Sequence, residues 1–229
     1  MLMMMESTAE YQRDNLCSVV SDYIKEQILV GKYKAGDHVL EATIAKNLGI
    51  SRSPVREGIK DLEKEGIVEI VPRKGTYVTT FTLKDIHEVF DIRILHEYDI
   101  LKILISERKL TELDFFQLTQ LVDKMVEIVN GPLSDQEKLI QINKLDMDFH
   151  ILLWNRSDSK RRVKILKDMF FQLKMAMMYD TSQTGDLMQT ATDHYTIIKY
   201  LRGGDLEKCK KAFLYHINSY KEGSFPDPD

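Results

Sequence analysis

Asp146 and His150 stand four residues apart in a stretch whose apolar positions, Leu139, Ile142, Phe149 and Leu153, recur with helical period. A carboxylate and an imidazole therefore share the face that such a helix would bury. Further on, His194 falls on one face with Ile197, Ile198 and Leu201, and His216 lies in the stripe Ala212, Phe213, Ile217, Tyr220. The intervening Gly203-Gly204 turn makes these two helices antiparallel neighbours, with His194 about 14 Å before the turn and His216 about 18 Å beyond it at roughly 1.5 Å per residue. They can reach the same level of a bundle. Any one of these histidines is more readily a satisfied core residue than a ligand. Four inward-facing polar groups together are different, because each would cost about 1–3 kcal/mol if buried without a partner. A divalent metal ion would neutralise the aspartate and satisfy all four. Three nitrogens and one oxygen with no thiolate suit zinc, nickel or manganese and leave room for water or a carboxylate ligand.

A second set of residues is suited to phosphate and base edges. Ser51 and Ser53 put hydroxyls at the start of a helix whose exposed amides favour an anion, and Arg52 and Arg56 project opposite the apolar face of Val55, Ile59 and Leu62. Farther along, Arg73-Lys74-Gly75 forms the basic tip of a hairpin, with a glycine that lets the backbone come close to a phosphate or the minor groove.

The elements that must hold these residues divide into two textures. From about 15 to 29 the positions Leu16, Val19, Val20, Tyr23, Ile24 and Ile28 have helical period, and Gly31 stops the run. A short helix is predicted over Glu41 to Leu48, then a tight turn at Gly49-Ile50-Ser51, then a helix with Ser53 as N-cap, Pro54 in first position and Gly66 past its end. Ile67 to Val71 and Thr76 to Thr80 read as the strands of the hairpin. A short helix, a glycine turn, a second helix and a hairpin make a helix-turn-helix with a wing, the build that enters the major groove. Beyond Thr80 only helical periodicity remains, with breaks near Lys109, Gly131-Pro132, Ser157-Asp158, Gln183 to Asp186 and Gly203-Gly204. The fold expected is mainly α, a winged helix-turn-helix followed by an all-α bundle of about six helices. The divisions are a flexible tail over 1–12, a DNA-binding unit over 13–80, a helical unit over 81–222 and a tail over 223–229.

Composition narrows the class. With 229 residues, 43% hydrophobic and 30% charged, the chain has material for two real cores. A formal net charge of −4 excludes nucleic-acid binding by overall basicity, so any such contact must be a local patch. Two cysteines, Cys17 and Cys209, build neither a disulfide framework nor a thiolate metal site, which fits a reducing cytoplasm. The Met-rich start has no basic region ahead of it, and the longest apolar run, Phe90 to Ile105, is broken by six charged or imidazole side chains, so neither a leader nor a membrane span is expected.

The run from Glu41 to Val68 with Pro72-Arg-Lys-Gly-Thr-Tyr-Val78 resembles the DNA-binding domain of GntR-type transcription regulators. The resemblance implies operator contacts from Ser51, Arg52, Ser53, Arg56 and Gly75. Ala42 departs from it, standing where many members have an arginine that helps to contact DNA. The stretch from Leu83 to Tyr220 resembles the FCD ligand-binding domain of the FadR subfamily, whose metal-binding members hold an ion with an Asp-x-x-x-His pair and two later histidines, matching Asp146, His150, His194 and His216. Arg93 and Glu97 match the family's Arg-x-x-x-Glu, and Asn155 an asparagine after the metal helix. By this resemblance Arg93 and Asn155 face an effector. From the residues alone, Arg93 could as well pair with Glu97, and Asn155 could cap a helix.

These observations predict a cytoplasmic, homodimeric regulator that binds double-stranded operator DNA, represses transcription and responds to a small organic acid, and that is not an enzyme. A metal-dependent hydrolase with Asp148 or Glu97 as base, and a purely structural metal, are the competing readings.

Overall fold

The computed structural model describes residues 2–184 and 186–217, with side chains described over 16–179, at 181 and over 186–217. The chain divides between Thr82 and Leu83 into two compact units.

In the first unit α1 (Leu2–Leu29), α2 (Glu41–Leu48) and α3 (Arg52–Lys64) are followed by strands β1 (Val68–Val71) and β2 (Gly75–Val78). Helix α1 takes in the segment expected as a loose tail, in keeping with its run of good helix formers, Met, Leu, Glu and Ala. Its residues Val20, Ile24 and Ile28 are buried against α3, where Pro54, Val55, Gly58, Ile59 and Leu62 face inward. Gly58 permits this approach: a Cβ there would come within 2.9 Å of the Cys17 carbonyl oxygen and of Val20. The Ser21 hydroxyl donates to the Gly58 carbonyl oxygen at 3.1 Å across the same contact. Gly49, at φ 66°, closes α2 in the left-handed conformation that glycine adopts without penalty, and this makes the turn into α3. Helix α3 starts two residues earlier than expected, with Ser51 rather than Ser53 as N-cap. Pro54 is tolerated in the third position because first-turn amides have no intrahelical acceptor to lose. The strands pair antiparallel from Val68↔Val78 to Val71↔Gly75. The segment before α2 lies along β2, with the Val39 amide donating to the Thr76 carbonyl at 2.8 Å.

The second unit holds α4 (Leu83–Ser106), α5 (Glu112–Asn130), α6 (Asp135–Arg156), α7 (Lys160–Asp168), α8 (Phe170–Thr184), α9 (Leu187–Gly203) and α10 (Leu206–Ile217). That is one helix more than expected among the described residues. The unforeseen break is at Met169, where no glycine or proline marks it. Capping boxes start α5, from Thr111 to Asp114, and α6, from Ser134 to Glu137. Gly204, at φ 68°, ends α9 and turns the chain back into α10. Helices α4, α5, α6, α8, α9 and α10 pack around a core that includes Phe90, Leu104, Leu118, Ile142, Phe149, Trp154, Leu173, Ile197 and Phe213. Each such side chain contributes roughly 1.5–3 kcal/mol by leaving water. No helix among the described residues is long and apolar enough to cross a membrane. Residues 218–229, which include Tyr220 and the expected C-terminal tail, lie outside the described residues.

Candidate functional site

On the first unit, Ser51, Arg52, Ser53 and Arg56 are all exposed along the start of α3, opposite the buried Val55 and Ile59. The exposed Ser51 side chain makes no capping hydrogen bond, and the first-turn amides of α3, as at any helix start, have no intrahelical acceptor. Arg56 is held: its Nε donates to Glu41 Oε2 at 2.8 Å, a partner on α2 that helical period within α3 could not reveal. Arg73 and Lys74 are exposed at the hairpin tip. Gly75 has φ 120°, and a Cβ there would collide with the His38 imidazole, which stacks on Tyr77 with ring centroids 4.9 Å apart. The wing therefore requires a glycine for its own folding, apart from any approach to DNA.

Within the second unit, the ligand atoms of Asp146, His150, His194 and His216 lie within 4.8 Å of one another, and all four residues are buried. Helix α6 supplies the first pair on one face, and the Gly204 turn brings α9 and α10 side by side to supply the other two histidines. Asp146 Oδ1 lies 3.2 Å from His194 Nε2 and 3.2 Å from His216 Nε2, while Oδ2 is 3.6 Å from His150 Nε2. Phe149 and Phe213 wall the group: Phe149 packs edge-on against His150 and His194, and Phe213 against His150.

Ring tautomers follow from the outer nitrogens. His194 Nδ1 faces the Thr190 carbonyl oxygen at 2.9 Å, and His150 Nδ1 faces Glu97 Oε2 at 2.8 Å. Both partners are acceptors, so both Nδ1 atoms carry the proton and both Nε2 atoms turn toward Asp146. Burial works to raise the Glu97 carboxyl, but the charges and hydrogen bonds of His150 and Arg93 outweigh it and hold it at about 2. Burial likewise works to raise Asp146, and the adjacent His194 and His216 hold it well below the usual carboxylate range. For the imidazoles burial acts the other way, lowering His150 and pushing His216, beside His194, down to about 3. The centre thus joins a carboxylate that its neighbours keep ionised to two rings, His150 and His216, whose protonated forms burial disfavours. Asp146 Oδ2, His194 Nε2 and His216 Nδ1 are buried without a hydrogen bond. Three imidazoles and a carboxylate, buried with their ligand atoms within 4.8 Å of one another and with polar atoms left unsatisfied, are a donor set that fits a divalent metal ion.

Arg93 is 1% exposed. Its Nε donates to Glu97 Oε1 at 2.7 Å, which realises the expected internal pair, while its Nη2, 3.8 Å from Asp146 Oδ2, is buried with no hydrogen bond and stays available to an anion. Asn155 is not brought to this centre. It is exposed near the end of α6, and its Oδ1 accepts from Lys167 at 3.3 Å, because five residues beyond His150 the helix has turned that position to the surface. The residue missed by sequence reasoning as part of the centre is Glu97. Its spacing from Arg93 was visible, but its second oxygen bonds a ring 53 positions away.

Residues 16–78 match the model of the bacterial regulatory proteins of the gntR family, and residues 88–219 match the FCD domain. The HTH-type transcriptional regulator YdhC of Bacillus subtilis is 28% identical over 195 residues, 85% of this chain and 84% of that protein. The gluconate operon transcriptional repressor of the same organism is 30% identical over 162 residues, 66% of this chain and 64% of its own length. Among solved structures, McbR/YncC of Escherichia coli shares the fold with a TM-score of 0.73 at 20% identity, over 90% of this chain and 95% of that one. An exposed recognition helix and wing, joined in one chain to a helical unit of this kind, therefore make this protein a member of the GntR family of DNA-binding transcription regulators, in the FadR-like branch whose second domain is an FCD domain.

Proposed function

We propose that the protein is a homodimeric, metabolite-responsive repressor of the cytoplasm, whose FCD domain holds a divalent metal ion on Asp146, His150, His194 and His216 and senses a small carboxylate. The observation that carries this reading is the convergence of four buried ligand atoms within 4.8 Å in the domain that accompanies the DNA-binding unit. Zinc, nickel and manganese all suit three imidazoles and a carboxylate. Such an ion supplies a Lewis-acidic seat for an anion. The chain's own contribution beside it is Arg93, whose buried Nη2 has an unused donor for the same carboxylate. Asn155, at the surface, has no part in this arrangement.

On DNA, Ser51, Arg52, Ser53 and Arg56 contact the operator from α3, and Arg73, Lys74 and Gly75 from the wing. A single winged helix reads few base pairs, which supports a dimer on a two-fold operator. An effector that binds one arrangement of the pair better than the other shifts operator affinity by that difference. Repression accords with the relative named as a gluconate operon repressor. A hydrolytic role is disfavoured by the two carboxylates that could act as base: Glu97 is engaged by Arg93 and His150, and Asp148 is exposed.

The test is elemental analysis of the purified chain and its His150→Ala variant, with thermal unfolding of both against a panel of small organic acids. About one metal per chain in the parent only, with stabilisation by a carboxylate that requires the metal, is expected. Equal metal in both proteins refutes the four-ligand centre. Collapse of the α-helical signal on chelation, in place of a mere loss of acid binding, would mark the metal as structural.

A further inference from the structure

We propose that Glu97 is a positioning residue for the metal centre: seated between Arg93 and His150, it fixes the tautomer of His150 and so aims the Nε2 lone pair at Asp146, His194 and His216. This rests on the reading of those four residues as a metal centre. Glu97 is 1% exposed and divides its two oxygens, with Oε1 accepting from Arg93 Nε at 2.7 Å and Oε2 from His150 Nδ1 at 2.8 Å. Arg93 has only donors, so Oε1 must accept from it. The carboxylate then presents a second acceptor to His150, which keeps its proton on Nδ1 and leaves Nε2 bare, 3.6 Å from Asp146 Oδ2 and 3.5 Å from His216 Nε2. His194 reaches the same state through the backbone carbonyl oxygen of Thr190 on its own helix. His150 alone among the three rings depends on a side chain from another helix, α4, for this orientation. Among the described residues His216 Nδ1 has no hydrogen-bond partner.

The arrangement makes an unusual prediction for the isosteric variant Glu97→Gln. Arg93 can only donate, so it takes the amide oxygen, which leaves the NH₂ group facing His150 Nδ1. An NH₂ needs an acceptor, so the ring proton must move to Nε2, and the His150 lone pair then points away from the centre. A change of one atom, with volume conserved, thereby removes a ligand without touching it.

Two readouts on the full-length chain test this. Without metal, long-range nitrogen–proton spectra of the histidine rings, assigned with His150→Ala, are expected to show His150 protonated on Nδ1 in the parent and on Nε2 in Glu97→Gln. With zinc alone as probe, competition against a chromophoric chelator is expected to show affinity about 10- to 100-fold lower in Glu97→Gln, the range typical of lost outer-shell partners. In a His150→Ala background the same change should have no further effect. An unchanged His150 tautomer overturns the proposal, and so does a loss of zinc affinity that is the same with and without His150. If the parent binds no zinc, the metal reading fails, and tautomer inversion by itself still decides the placement of the proton by Glu97. Should Glu97→Gln not fold, Glu97→Asp keeps the charge near Arg93 while withdrawing the carboxylate by about 1.5 Å, one carbon–carbon bond. Parent-like tautomer and zinc affinity in that variant overturn the proposal as well.

Discussion

Replacing Asp146 by asparagine should make the metal-free protein less stable as well as abolishing tight metal binding. Asp146 Oδ1 is 3.2 Å from two imidazole nitrogens, His194 Nε2 and His216 Nε2. An asparagine NH₂ at that place has two N–H donors, one for each ring, and two such bonds contribute about 1 kcal/mol each. The change also removes a buried ionised carboxylate, whose desolvation costs several kcal/mol. Against this stands the lost attraction to Arg93 Nη2 at 3.8 Å, about 4 kcal/mol at an effective dielectric near 20. His194 and His216 add to that attraction, and together these groups outweigh burial, since the fold holds the Asp146 carboxyl well below its usual range; losing the ionised form therefore costs more than the new hydrogen bonds return, by about 1–3 kcal/mol. Thermal unfolding in a chelator should therefore show a fall of roughly 3–10 °C for a domain of this size. In saturating zinc the gap should widen, because only the parent is stabilised by its ligand. An asparagine variant that melts above the parent in chelator would refute the argument that Arg93, His194 and His216 together favour the ionised carboxylate.

Arg52→Ala and Arg56→Ala should each weaken operator binding by about 1–3 kcal/mol with zinc content unchanged, and unaltered affinity in a gel-shift titration counts against α3 as the recognition helix. Gly58→Ala should destabilise the DNA-binding unit by about 1–2 kcal/mol, since crowding of the Cys17 carbonyl and Val20 at 2.9 Å outweighs the roughly 1 kcal/mol gained in helix propensity; equal or higher urea resistance would refute this. Burial works to raise the Asp114 carboxyl, but hydrogen bonds from Thr111 and the Arg156 guanidinium outweigh it and hold it below 3.8. Its contribution is thus complete above its unfolded value of about 3.9 and disappears as the pH falls through the lower folded one. Asp114→Asn should cost about 1 kcal/mol at pH 7 and nothing extra in acid, and a pH-independent difference in urea midpoint would show that Asp114 is not the titrating group.

The sequence by itself determined whatever depends on local period and punctuation. Helix α2 runs over Glu41–Leu48 as expected, because Gly49 ends it through its own backbone conformation. Asp146 and His150 share a buried face because residues four apart always do. The meeting of α9 and α10 was legible in the Gly203-Gly204 turn, and with it the approach of His194 to His216. Where the signal was weak or ambiguous, so was the expectation. The break at Met169 has no glycine or proline to announce it, and two serines separated by one residue could each have capped α3.

Tertiary structure alone decided the partners. Glu97 was visible as the neighbour of Arg93, yet only the packing of α4 against α6 gives its other oxygen to His150. Arg56 likewise finds Glu41 only when α2 and α3 are set together. Asn155 stood close to the metal helix in sequence and is at the surface in space, since rotation along a helix separates near neighbours as surely as it aligns those four apart. Short-range periodicity fixes which face a side chain occupies. What that face meets depends on burial and charge contributed by residues dozens of positions away, and for this protein that difference separates a list of ligands from a centre able to hold an ion.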